Sequence, residues 1–238
     1  LAIPAAHCTE AALFPLTTLL FFFNETATTE IYTAARSGLK WLLDLQNKDG
    51  GWPTFCRGWG RLPFDRSSTD ITAHAMRALH AWKLLLKLSQ TNKPFSQRVA
   101  RAVSAGSRYL TQRQQADGSW LPLWFGNQHH VTEQNPVYGT AKVLLMCRDL
   151  GWCDAEMAGR AAHWLTSVQH ASGAWGTALP KKPVLLKRMK DAEISPSVEE
   201  TALAVEALLP LADRQPKLRK PVEQGVSWLI EAIEKDRH

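Results

Sequence analysis

"GLKWLLDLQNKDGGW", residues 38–52, decides the fold, because the chain says it again twice. "GSRYLTQRQQADGSW" occupies residues 106–120 and "AAHWLTSVQHASGAW" residues 161–175. In all three, a Gln (Gln46, Gln114, Gln169) precedes a Trp (Trp52, Trp120, Trp175) by six residues, with a Gly two before the Trp. An aromatic, Trp41, Tyr109 or Trp164, lies five residues before each Gln. Apolar residues at helical spacing run up to the Gln, and the Gly ends the helix. A Gln amide can bond backbone groups at a neighbouring helix end while the Trp ring covers the turn. Spacing held to the residue at three places marks a structural repeat, and repeats set the fold.

A second helix follows each turn. These are "TDITAHAMRALHAWKLL" from Thr69, "NPVYGTAKVLLMCRDL" from Asn135 and "SVEETALAVEALLPL" from Ser197. Each carries a Thr-Ala pair in register, at 72–73, 140–141 and 201–202. The first two pairs lie 20 residues beyond their Trp; the third lies 26 beyond, because "PKKPVLLKRMKD" (180–191) is inserted. A fourth unit begins at "VEQGVSWLIEAI", with Gly225 and Trp228 in register but Ile233 where a Gln belongs. No run alternates with period two, so strands are not expected, and the fold class is all-α, built of helix hairpins.

Composition is consistent with this. The chain has 238 residues, 45% of them apolar, enough for a sizeable core. Ten Trp exceed the three that the repeat uses, which points to an aromatic-rich interior or cavity. A net charge of +6 fits an anionic surface without requiring one, and dispersed Lys and Arg give no nucleic-acid signature. Cys8, Cys56, Cys147 and Cys153 form no CxxC and no regular framework, so they read as reduced thiols.

The repeat resembles that of the squalene–hopene cyclase and oxidosqualene cyclase family, whose α/α barrels (toroids) carry a Gln…Gly-x-Trp motif. The resemblance covers about residues 34 to 238. "SSTDITAH" (67–74) is similar to the family's Asp-x-Thr-Ala-His segment. "DGSWLPLW" (117–124) and "YGT" (138–140) are similar to its Asp-Gly-Ser-Trp…Trp…Tyr-Gly-Thr segment, here split by "FGNQHHVTEQNPV" (125–137). The family's catalytic Asp-x-Asp-Asp, which protonates the polyene, has no counterpart in this sequence. The resemblance therefore implies an incomplete barrel: a fragment of an isomerase that cyclises squalene or a related polyprenoid, inactive and poorly soluble alone.

Site residues follow from the same resemblance. Asp70 and His74, four apart on one helix, share a face. By similarity, His74 hydrogen-bonds the proton-donating Asp and Asp70 supports the same network. Protonating an alkene needs a strong acid, and an imidazolium beside a carboxylate stabilises the anion. Ser67, Ser68 or Thr69 can cap the Asp70 helix. Tyr138 matches the tyrosine of the water chain that reprotonates the acid. Trp124 and Phe55 match cavity positions, where aromatic faces stabilise carbocations without trapping them. "TFCRGWGRLPFDR" (54–66) is shorter than the family's loop and holds Arg57, Arg61 and Arg66, a departure that touches substrate choice.

No cofactor and no metal are expected. A zinc prenyltransferase β-subunit also stacks such hairpins, but the Cys residues fall outside that family's contexts and His129-His130 lies in a polar loop. A non-catalytic helical scaffold is the other alternative. The expected partners are a polyprenoid such as squalene and a membrane surface, with no nucleic acid; a homodimer is open. The expected location is the cytoplasmic face of a bacterial membrane, held monotopically.

The N-terminus is read separately. "ALFPLTTLLFFF" (12–23) has no Lys or Arg before it, which disfavours a signal peptide. Asn24-Glu25-Thr26 fits a glycosylation acceptor, a tripeptide common by chance. Residues 24–33 read Asn-Glu-Thr-Ala-Thr-Thr-Glu-Ile-Tyr-Thr. That differs at one residue from a translation of AATGATACGGCGACCACCGAGATCTACAC, which resembles a common sequencing adapter. Residues 1–33 are accordingly expected to be adapter-derived or a disordered leader, with the repeats occupying 34–238.

Overall fold

The computed structural model describes residues 25–54, 66–87, 92–127, 132–180 and 192–235. They contain seven α-helices: α1 (Glu25–Leu45), α2 (Thr69–Lys87), α3 (Lys93–Arg113), α4 (Pro136–Asp149), α5 (Glu156–Ser167), α6 (Val198–Ala212) and α7 (Arg219–Lys235). α1 begins at Glu25, eight residues ahead of the boundary drawn at residue 33. The chain falls into two compact units. The first runs through Gln112 and includes Asp149–Gly151; the second comprises Arg113–Arg148 and the chain from Trp152 on. None of the helices among the described residues is long and apolar enough to cross a membrane.

Each Gln…Trp segment closes a turn between helices by the same bonds. Gln46 Nε2 donates to Gly50 O at 2.8 Å and to Ala102 O at 2.9 Å. Gln114 Nε2 donates to Gly118 O at 2.9 Å and Met157 O at 3.0 Å. Gln169 Nε2 donates to Gly173 O and Pro221 O, both at 2.8 Å. One amide thus holds its own turn and a carbonyl of the second helix beyond it, α3, α5 or α7 in turn. Gly50, Gly118 and Gly173 have φ of 91°, 101° and 91°, and a Cβ on each would lie 2.4–2.6 Å from a carbonyl oxygen of that helix. Only glycine meets both demands at once.

The Thr-Ala register has a physical cause. Trp52 N donates to Thr72 Oγ1, Trp120 N to Thr140 Oγ1 and Trp175 N to Thr201 Oγ1, each at 3.0 Å. The Thr hydroxyl locks the start of the following helix onto the turn. The rings of Trp52, Trp120 and Trp175 are at most 1% exposed. Each such ring buries roughly 150–250 Å². Trp52 and Trp175 also donate Nε1–H to Leu42 O and Leu165 O, at 2.8 and 2.7 Å. Gly106 packs under the Trp52 ring, and Gly225 under Trp175, in the register expected for the fourth unit. Tyr109, from the second repeat, completes the first turn: its hydroxyl donates to Ser67 O at 2.7 Å. Trp41, at the same repeat position, is exposed.

The expectation of no strands is corrected. β1 (Trp52–Pro53) pairs antiparallel with β2 (Ser67–Ser68), and β3 (Gly176–Pro180) with β4 (Ala192–Pro196) in the register Gly176↔Pro196. In both places the chain leaves the Trp and must return to the Thr that bonds its backbone. Ser197 N donates to Trp175 O at 2.9 Å, which fixes the first rung of the longer pair. The lock imposes the pairing; strand propensity does not. Cys147 and Cys153 are buried and not joined in a disulfide, and burial pushes the Cys147 thiol up to about 12. Cys8, Cys56 and most of the 180–191 insertion lie outside the described residues.

Candidate active site

Asp70 lies in the first turn of α2 and is buried at 4% exposure. Its Oδ1 accepts a short hydrogen bond from Ser68 Oγ. Ser68 is in turn held by Thr72, whose Oγ1 donates to Ser68 O at 2.6 Å. Because Thr72 also receives Trp52 N–H, the carboxylate sits within two residues of the first repeat's lock. Ser67, one of the capping candidates, instead donates to Asp49 Oδ1 at 2.7 Å and accepts from Asn47 Nδ2 at 3.0 Å, within the turn. His74, one helical turn beyond Asp70, is exposed.

Tyr138 lies in the first turn of α4, half-buried. Asn135 is buried; its Oδ1 accepts from Tyr138 N at 3.3 Å and its carbonyl from Gly139 N at 3.1 Å. A Cβ on Gly139 would lie 2.4 Å from Trp120 O, so this helix rests directly on the second repeat's Trp. The insertion after Trp124 folds back: Asn127 N donates to Glu133 O at 3.0 Å. Its first residue, Phe125, stacks on the Tyr138 ring, centroids 4.2 Å apart and planes 17° from parallel. Lys142 Nζ stands 5.1 Å from the same ring centroid. Trp124 is 44% exposed and Phe125 48%.

Asp70 and His74 thus belong to the first compact unit, and Trp124 and Tyr138 to the second. Phe55 lies outside the described residues. Phe125 and Lys142 were not singled out from sequence, and Ser68 was offered only as a helix cap. Lys142 could have been, since it follows Tyr138 by four residues on a helix. A buried carboxylate held by a hydroxyl can polarise a neighbouring acid–base network. Within the second unit, aromatic faces offer charge stabilisation without nucleophilicity. Among the described residues, no group of three or more His, Cys, Asp or Glu side chains could hold a metal ion.

All-α hairpins joined by Gln–Gly–Trp turns define an α/α-toroid terpene cyclase-like protein. Residues 20–238 match the family model of the squalene-hopene cyclase C-terminal domain, and the chain belongs to that family. It is 31% identical over 221 residues to enfumafungin synthase efuA of Hormonema carpetanum, covering 82% of this chain and 15% of that protein. It is 28% identical over 214 residues to the squalene–hopene cyclase of Bradyrhizobium diazoefficiens, covering 83% and 28%. Its fold is similar to ent-copalyl diphosphate synthase from Streptomyces platensis, with TM-score 0.55 and 26% identity over 79% of this chain and 30% of that one. The chain therefore spans between 15% and 28% of the length of these two curated relatives.

Proposed function

We propose that this chain is the later part of the catalytic barrel of a squalene–hopene cyclase-like isomerase. The family match over residues 20–238, laid on three turns of one geometry, is the observation that supports this most. The reaction is acid-initiated: a carboxylic acid gives its proton to a terminal double bond, and the resulting carbocation is passed through ring closures. That acid is the Asp-x-Asp-Asp motif, supplied from outside this chain, so the chain alone is inactive. His74 and Asp70 are positioning residues that strengthen the acid. Tyr138 belongs to the water-linked chain that returns its proton. Trp124 and Phe55 face the cations. The substrate is squalene or a related polyprenoid, and a membrane surface delivers it.

The membrane contact is assigned to 180–191, where Val184, Leu185 and Leu186 are flanked by Lys and Arg. The protein then lies on the cytoplasmic face without crossing the bilayer. The test is the full-length protein incubated with squalene, products read by gas chromatography. Cyclised products are expected. His74→Ala should lower turnover by at least tenfold, within the ~10²–10⁴ range of general-acid support, and shift the falling limb of the pH–rate profile to higher pH, because the acid loses the neighbouring charge that strengthens it, while leaving the circular dichroism unchanged. Near-normal turnover with an unmoved profile removes His74 from the acid network.

A further inference from the structure

The first repeat carries a cleft of about 430 Å³ lined by Gln46, Leu43, Ala102 and Ala105. Arg98, Arg101 and Arg108 ring it. At spacings of three and seven residues along α3, these three share one helix face. A second cleft of about 520 Å³ adjoins it, sharing Arg98 and adding Arg36 and Lys40 of α1 beside Phe95. The Arg36 guanidinium stands 5.9 Å from the Phe95 ring centroid. Against these five cations, the described residues set one ion-paired carboxylate, Asp44, 2.6 Å from Arg98. Arg101 and Arg108 have no ion-pair partner among the described residues; Arg108 donates only to Ser104 Oγ, at 3.0 Å.

Comparison of the repeats shows that the Gln–Gly–Trp turn does not need these arginines. Aligning the second acceptors of the three Gln amides, Ala102, Met157 and Pro221, puts Cys153, Glu156 and His163 at the arginine positions in the second repeat. The third repeat has Lys217, Lys220 and Ser227 there. The lining differs as well. Ala105 aligns with Arg160, whose Nη2 lies across the second turn, donating to Gln115 O at 2.8 Å and Ala116 O at 3.2 Å. The small side chain of Ala105 leaves the equivalent space open in the first repeat. Guanidinium groups lining an open cleft can match the tetrahedral oxygens of a phosphate by paired N–H donors.

We infer that the groove between α1 and α3 binds a phosphate group, with the Phe95 side accepting the apolar part of the molecule that carries it. That group is either the headgroup of an acidic lipid or a free phosphate compound. This site stands apart from the cyclase reading and does not depend on it. Arg101 and Arg108 are exposed, and Gln matches Arg in helix propensity, so the double variant Arg101→Gln/Arg108→Gln should fold.

The experiment compares the unsubstituted chain, that double variant, and a control, Lys217→Gln/Lys220→Gln, altered at the aligned positions of the third repeat. Two probes are used at about 0.1 M salt, where long-range surface attraction is screened. One is flotation with phosphatidylcholine vesicles with and without phosphatidylglycerol; the other is calorimetry with inorganic pyrophosphate. Binding to the phosphatidylglycerol vesicles that falls at least about tenfold in the arginine variant alone identifies a lipid headgroup. Pyrophosphate binding that falls likewise, without vesicle binding, identifies a free phosphate compound. Binding of neither probe, an unchanged arginine variant, or an equal loss in the control overturns the inference.

Discussion

Compare what lies before each repeat Trp with what lies after it. Before it, Gln46, Gln114 and Gln169 donate to a Gly carbonyl and to a carbonyl of α3, α5 or α7, with all six distances between 2.8 and 3.0 Å. After it, the chain does three different things. It pairs over two residues at Trp52–Pro53, folds Phe125 back onto Tyr138, and pairs over five residues at Gly176–Pro180. Yet each excursion returns to a Thr hydroxyl 3.0 Å from the Trp amide. The first half holds the structure and the Thr closes it, which leaves the intervening loop free to vary. Phe55, Trp124 and the basic insertion 180–191 all fall, in sequence, between a repeat Trp and its Thr, where variation costs the fold little and can alter function.

The sharpest way to break this comparison is to damage the constant half. Gly118→Val meets two obstacles: a φ of 101° and a Cβ position 2.6 Å from Arg160 O. A loss of roughly 3 kcal/mol in urea unfolding is expected, from left-handed strain plus the clash. A loss under about 1 kcal/mol would show that the turn can open without consequence. Gln169→Leu ranks next. It strips the amide donor from Gly173 O and Pro221 O and should cost about 2 kcal/mol. Thr140→Val should cost about 1–1.5 kcal/mol, since it leaves the buried Trp120 N–H without its acceptor. The equivalent changes at Thr72 and Thr201 should agree with it. A threefold spread among the three would mean that the locks are alike in geometry but not in energy.

The division between the halves is also the division between what could be read from sequence and what could not. The Gln, Gly, Trp and Thr positions were legible because one hydrogen-bonding scheme, repeated, forces one spacing. The strands were not. β1 and β2 have two residues each, too few for alternation to appear, and β3 and β4 are set in register by the Trp175–Ser197 bond. The site was legible in residue type and not in environment. Helical spacing puts Asp70 and His74 on one face, but it cannot say that the first is buried against Ser68 Oγ and the second exposed. Phe125 on Tyr138 was hidden for another reason. It depends on a loop closed by Asn127 and Glu133, the latter at a positive φ of 55° that no sequence pattern announces.

The smallest expected effect tests the variable half. The Thr of the third repeat lies 26 residues beyond its Trp, against 20 in the other two, a difference of 26 − 20 = 6 residues. Deleting six residues within 181–191 should leave every bond of the lock in place: Trp175 N to Thr201 Oγ1, Ser197 N to Trp175 O, and the rung Gly176↔Pro196. Halving the length of a connection lowers its closure cost by only about 0.6 kcal/mol, so stability should rise slightly or stay level. Flotation with anionic vesicles should nonetheless weaken, because the deletion removes Lys and Arg that face the lipid in the proposed function. A loss of more than about 2 kcal/mol would mean that the insertion packs as part of the core, in which case the loop after the third Trp is not free to vary. Retained stability with undiminished flotation would keep the division between the halves and move the membrane contact elsewhere.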